Sequence, residues 1–141
     1  MGRAEDLPVS DPQTRAPVIL LVEDEVLLRM FLSEHLQDCG FHVFGAGSAA
    51  EAVEMIEHGS VKIDFVFSDV RMPGEMDGFG LSRWIKANRS GLPIVLTSAE
   101  AGKANLADEL CAHQRFFTKP YNPDLVAAHI REVLAARKAA G

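Results

Sequence analysis

Along the chain, short unbroken apolar runs alternate with stretches whose apolar positions recur every three or four residues. Val18 to Val22 reads VILLV, the pattern of a strand whose two faces are both covered. From about Glu25 to Cys39 the period changes: Leu28, Leu32 and Leu36 share one helical face, and Gly40 ends the segment. FHVFGA (41–46) predicts a second strand. Ser48 and Glu51 have capping-box spacing, and Ala49, Ala52, Val53 and Ile56 supply the stripe of a second helix. IDFVFS (63–68) is the third strand, ending at Asp69. RMPGEMDG is loop by its proline and glycines, and a third helix, with Leu81 and Ile85 inward, runs to about Asn88. PIVLTS (93–98) predicts the fourth strand, and a helix follows from about Gly102 to His113. RFFT (115–118) predicts the fifth strand. Asn122 caps and Pro123 opens a last helix whose Val126, Ile130 and Val133 face inward.

Five β/α units in series predict an α/β fold, a parallel sheet with helices on both faces. Residues 1–16, with Pro8 and Pro12 among polar side chains, read as a flexible tail. Residues 17–138 form one domain and 139–141 a short C-terminal tail. The last helix reaches the C-terminus, so no second domain is expected.

Composition narrows the function. The 141 residues carry a net charge of -6 and no Lys/Arg run, which argues against a DNA-binding surface. No apolar run approaches the roughly 20 residues that span a bilayer, and no signal-peptide core opens the chain. The two cysteines, Cys39 and Cys111, lack metal-ligand spacing and read as reduced core thiols of a cytoplasmic protein.

In open α/β sheets, ligands bind beyond the carboxyl ends of the strands, so the residue ending each strand is a site candidate. Strand one ends in Glu23, Asp24 and Glu25, three neighbouring carboxylates whose repulsion something must offset. Strand three ends at Asp69, strand four at Thr97 and Ser98, strand five at Lys119 and Pro120. Singly, each has an ordinary explanation: acids favour helix N-termini, and Asp, Ser and Thr favour turns. Together they bring three acids, a hydroxyl and an ammonium to one rim. Such a set suits Mg2+, which takes oxygen ligands, and a carboxylate that accepts a phosphoryl group.

The motifs LLVEDE, FSDVRMPGEMDG, LPIVLTSAE and FFTKPY, in this order and spacing, resemble the receiver (response regulator) domain of two-component phosphorelays over about residues 17 to 138. That resemblance implies a doubly wound, flavodoxin-like five-stranded sheet of order 2-1-3-4-5. It implies that Asp69 takes a phosphoryl group from a phosphohistidine on a sensor histidine kinase or histidine phosphotransfer protein. Glu23 and Asp24 match the pair that holds Mg2+ with Asp69 and the backbone carbonyl of Arg71. Lys119 matches the phosphate-binding lysine, and Lys119-Pro120 the usual cis peptide. Counting from Pro93 puts the switch hydroxyl at Ser98, with Thr97 the alternative, and Phe116 at the position of the rotating aromatic. The loop after Asp69 is one residue longer than the common form, through Gly74 or Glu75. Arg71 and Glu100 flank the pocket and are expected to modulate dephosphorylation.

The same resemblance implies that phosphorylation reshapes the face of the helix at 102–113, the fifth strand and the last helix. With no attached output domain, that face would act on a separate protein target; Trp84 is a further contact candidate, and weak homodimerisation through the last helix is open. Beyond slow self-dephosphorylation no enzymatic turnover is expected. A dehalogenase-type phosphatase would want a second Asp where Arg71 stands. A flavodoxin-like cofactor site would want Gly, Ser or Thr where the acids stand. A pseudo-receiver would not need the complete acid, hydroxyl and lysine set.

Overall fold

The computed structural model describes residues 15–99 and 117–140. The chain alternates β1 (Val18–Val22), α1 (Val26–Asp38), β2 (His42–Ala46), α2 (Ala49–His58), β3 (Phe65–Asp69), α3 (Gly78–Asn88) and β4 (Ile94–Ser98). It closes with β5 (Phe117–Thr118) and α4 (Pro123–Ala140). The helix expected at 102–113, Cys111, Glu100, Phe116 and the tail up to residue 14 lie outside the described residues.

All five strands are parallel, in the order β2-β1-β3-β4-β5. Because β1, β3 and β4 are buried along their whole length, their sequences run apolar without alternation until the polar ends Ser68, Asp69 and Thr97, Ser98. Successive side chains still take opposite faces. Leu20, Val22, Val66, Ile94 and Leu96 pack with Ala49, Ala52, Leu81 and Ile85 on the α2 and α3 side. Ile19, Leu21, Phe65, Phe67, Val95 and Phe117 pack with Leu32, Leu36, Val126 and Ile130 on the α1 and α4 side.

Several expectations shift in detail. β3 begins at Phe65 rather than Ile63 and includes Asp69 as its last residue, paired in register with Thr97. Before it, Asp64 ties the base of the sheet: its carboxylate accepts from the Val18 amide at 2.8 Å. The capping box is only half made. Ser48 Oγ accepts from the Glu51 amide at 3.1 Å, but Glu51 Oε1 takes the Gly47 amide at 2.8 Å. Asn122 Oδ1 accepts from the Asp124 amide at 2.9 Å and starts α4. Cys39 is not a core thiol; it caps the C-terminus of α1 and is half-buried, because Gly40 turns the chain there. Trp84 lies half-buried beside the Leu81/Ile85 stripe, with the Arg89 guanidinium 6.0 Å from its ring centre.

Two glycines shape the loop after β3. Gly74 has φ +101°, a left-handed conformation that suits a residue without Cβ. Gly78 lets α3 start against β3: a Cβ there would lie 2.3 Å from the Asp69 carbonyl oxygen and 2.7 Å from Val70 Cα. The Gly78 amide donates to the Val70 carbonyl at 2.8 Å, fixing the backbone that carries Asp69.

Candidate functional site

Strand order reverses between β1 and β3, so their carboxyl ends leave a crevice between helices of opposite faces. Glu23 and Asp69 stand there. The Glu23 amide donates to the Ala46 carbonyl at 2.9 Å, extending the β1–β2 pairing by one residue and turning its side chain inward. Glu23 is 4% exposed and Asp69 6%, whereas Asp24 and Glu25 face solvent. Of the three consecutive acids only Glu23 is buried, while Asp24 and Glu25 keep their contact with water.

Two contacts hold the buried acids. Lys119 Nζ donates to Glu23 Oε1 and to Asp69 Oδ2, each at 3.1 Å. The Glu25 amide donates back to Glu23 Oε2 at 3.1 Å. Asp69 Oδ1 also receives the Arg71 amide through a long, 3.4 Å contact. Burial pushes the Glu23 carboxyl above its ordinary range; the Glu25 amide and Lys119 pull it down, Asp69 pushes it up, and burial prevails. Burial likewise opposes the charge on Lys119, but its bonds and Coulomb attraction to Asp69 and Glu23 outweigh this and raise its pKa.

Carboxylate oxygens of Glu23, Asp24 and Asp69 lie within 4.8 Å of one another. An all-oxygen donor set with one member open to solvent fits Mg2+, which keeps several waters and binds through one or two carboxylates plus a phosphate. The residues present therefore suit the ion.

Thr97 and Ser98 end β4, both buried. Alternation from Val95 and Leu96 puts Thr97 on the Asp69 side of the sheet, where its Oγ1 has no hydrogen-bond partner among the described residues. The Ser98 carbonyl accepts from the Lys119 amide at 3.1 Å. Lys119-Pro120 is cis. Arg71 is exposed at the mouth of the site; Glu100 and Phe116, the other two residues singled out, fall outside the described residues.

Three contributors were not legible in the sequence. The Arg29 guanidinium donates to the Glu23 carbonyl and lies against Gly45, where a Cβ would come within 3.0 Å of Arg29 Cδ. The pair of small residues Gly45 and Gly47 in β2 and just beyond it was the available signal. Tyr121 packs edge-on against Phe67 and Phe117, with ring centres 5.6 and 6.3 Å away. Burial, then the charges of Glu23 and Asp69, push its phenol well above the usual tyrosine range. Finally, a cavity of about 440 Å³ opens beside Lys119, lined by Leu28, Phe31, Ala99, Pro120, Tyr121 and Pro123.

Comparison with known proteins agrees with this geometry. The family model described as response regulator receiver domain matches residues 19–131. The chain is 34% identical to sensor kinase CckA of Brucella abortus, over 94% of this chain and 15% of that protein. Among solved structures, a response regulator receiver protein from Sinorhizobium medicae is 30% identical with a TM-score of 0.75, covering 86% of this chain and 97% of that one. Response regulator TrrA of Thermotoga maritima, solved in complex with Mg2+-BeF, is 25% identical with a TM-score of 0.72, covering 83% and 98%. The chain spans between 15% and half of the length of the curated relatives it resembles.

Proposed function

The chain belongs to the response regulator receiver domain family, and from that premise we propose that Asp69 is the phosphoacceptor of a two-component relay. The donor is a phosphohistidine on a sensor histidine kinase or histidine phosphotransfer protein. The observation that carries this reading is the Lys119 ammonium, 3.1 Å from both Asp69 and Glu23 at the carboxyl edge of the sheet. Phosphoryl transfer asks a protein for little beyond position and positive charge, and this site supplies both.

In the transfer, an Asp69 carboxylate oxygen forms a bond to phosphorus while the phosphorus–nitrogen bond of the phosphohistidine breaks. The imidazole leaves neutral, because its other nitrogen carries a proton. Lys119 then exchanges part of its contact with Asp69 for the arriving phosphoryl oxygens. Glu23, Asp24, Asp69 and the Arg71 carbonyl would hold Mg2+, which supplies charge against the equatorial phosphoryl oxygens and offsets carboxylate repulsion.

Register supports Ser98 as the switch hydroxyl. Thr97 is level with the Asp69 backbone, whereas Ser98 stands one residue, about 3.3 Å, nearer the rim, where an acyl phosphate projects. Phe116 would follow Ser98 inward, and Arg71 with Glu100 would limit access of the hydrolytic water. The output is a changed protein-binding face involving β5 and α4, read by a downstream protein.

A phosphodonor must cover the rim next to Lys119. There α1 presents Val26, Leu27, Met30 and Phe31, each more than half exposed (53–77%), beside the cavity that Pro120 and Tyr121 line. Solvent-exposed apolar side chains gathered at the mouth of a site suit a docking partner.

The test is to incubate the protein with Mg2+ and a small-molecule phosphodonor and measure its intact mass. A single phosphate adduct on the wild type that is absent from Asp69→Asn supports the proposal. No adduct on the wild type, or one that persists in Asp69→Asn, overturns it.

A further inference from the structure

At the opposite end of the sheet, where β3 and β4 begin, lies a second cavity of about 540 Å³. It is on the order of 17 Å from the carboxyl edge, one five-residue strand away. The loops before β3 and β4 line it, with Ile56, Val61 and Leu92 as apolar side chains and Arg137 of α4 beside them. An adjoining cleft of about 210 Å³ extends the apolar surface past Phe44 and Met55.

Among the described residues, three cations line this cavity, Lys62, Arg89 and Arg137, and no carboxylate does. For a chain of net charge -6 that is a marked local reversal. The two guanidiniums are held by neutral oxygens: Arg89 Nη1 donates to the Asn88 carbonyl at 2.9 Å and Arg137 Nη1 to the Asp64 carbonyl at 3.1 Å. Arg89 also faces the Trp84 ring. Among the described residues, none of the three cations makes an ion pair with a carboxylate. The two guanidiniums are thus oriented without being neutralised by a described carboxylate, and each keeps donors in a planar fork suited to carboxylate, sulfonate or phosphate.

We propose that this basal cavity binds a soluble small organic anion, an acidic head group engaging Arg89, Arg137 and Lys62 with an apolar body on Ile56, Val61 and Leu92. Its volume lies within the roughly 300–1,000 Å³ of small-molecule sites, and apolar side chains with a few convergent polar groups are their usual lining. The site shares no residue with the acidic cluster around Asp69, and it stands or falls independently of the phosphoacceptor reading.

Anilinonaphthalene sulfonate has this chemistry, and N-phenylnaphthylamine is its counterpart without the sulfonate. Each is titrated into isotope-labelled protein while backbone amide shifts are followed. The sulfonate is expected to move amides of residues 59–63 and 89–92 and to bind at least about tenfold more tightly than the neutral dye. Arg89→Gln/Arg137→Gln should weaken it at least about tenfold while amide shifts away from the cavity show the fold retained. Lys62→Gln, at an exposed loop position, provides a second reading should the double variant fail to fold. Shifts confined to α1 and the Lys119 mouth, equal binding of the neutral dye, or full binding by the variants would overturn the proposal.

Discussion

Replacing Lys119 by methionine keeps an unbranched aliphatic stem and removes an ammonium shared by two buried carboxylates. Nζ lies 3.1 Å from Glu23 Oε1 and from Asp69 Oδ2, whose side chains are only 5% and 8% exposed. With an effective dielectric constant of about 20, each attraction is of order 5 kcal/mol. The facing carboxylate oxygens, no more than 4.8 Å apart, repel by about 3.5 kcal/mol or more on the same scale. Desolvation of the ammonium offsets part of the attraction, and breaking a buried pair by removing one member typically costs about 3–5 kcal/mol. Lys119 is 20% exposed, so the lower figure of about 3 kcal/mol applies. Urea unfolding at neutral pH, with divalent cations removed, should show that loss as an earlier midpoint with an unchanged slope.

The deficit should also depend on conditions. Glu23 already has a raised pKa in the folded state, and losing Lys119 raises it further. A raised carboxyl favours the fold most at low pH, so the gap to wild type should narrow as pH falls through that range. In the wild type, Lys119 has a folded pKa above 10.5; its stabilisation is whole below that pH and fades as pH rises through the folded value. The methionine variant lacks that alkaline loss. Mg2+ should restore more stability to the variant than to the wild type, since it meets one more uncompensated negative charge. Equal midpoints for both proteins at neutral pH, with or without Mg2+, would refute the reasoning.

Three further outcomes follow from individual contacts. Tyr121 is the only tyrosine, so tyrosinate absorbance reports it alone; in folded protein its titration should lie well above 10, and a midpoint near 10 would show that the ring is not buried against the acids. Thr97→Val removes a buried hydroxyl that has no partner among the described residues and should raise stability by about 1 kcal/mol in urea unfolding while phosphate uptake persists; a loss of stability would mean that the hydroxyl is bonded. Gly78→Ala puts a Cβ 2.3 Å from the Asp69 carbonyl oxygen and should cost about 1–3 kcal/mol in thermal melts and weaken Mg2+ binding; an unchanged melt would show that α3 can move away freely.

Much of the architecture was legible because backbone periodicity is a local property. VILLV identifies a strand covered on both faces, the Leu32/Leu36 spacing identifies the buried side of α1, and Ser48 and Asn122 mark real helix starts. Asp69, Glu23 and Lys119 were singled out because strand ends are where open α/β sheets place ligands, and the fold brings the three side chains into contact. Where local signals were ambiguous they failed in small ways: β3 starts two residues late, and Glu51 takes the amide of Gly47.

Other features depended on which distant segments become neighbours. The sequence named three consecutive acids at the end of β1 but not which of them is buried; the bond from Glu23 to Ala46 and the approach of Lys119, 96 positions away, decide that. Arg29 behind Glu23, Tyr121 against Phe67, and Arg89 and Arg137 around one basal cavity follow from strand order and helix docking. Repeating patterns along a chain reveal which way a side chain faces from its own element. Whether charges meet, and whether they are neutralised, depends on tertiary packing, because electrostatic energy is set by separation and burial in space rather than by distance along the sequence.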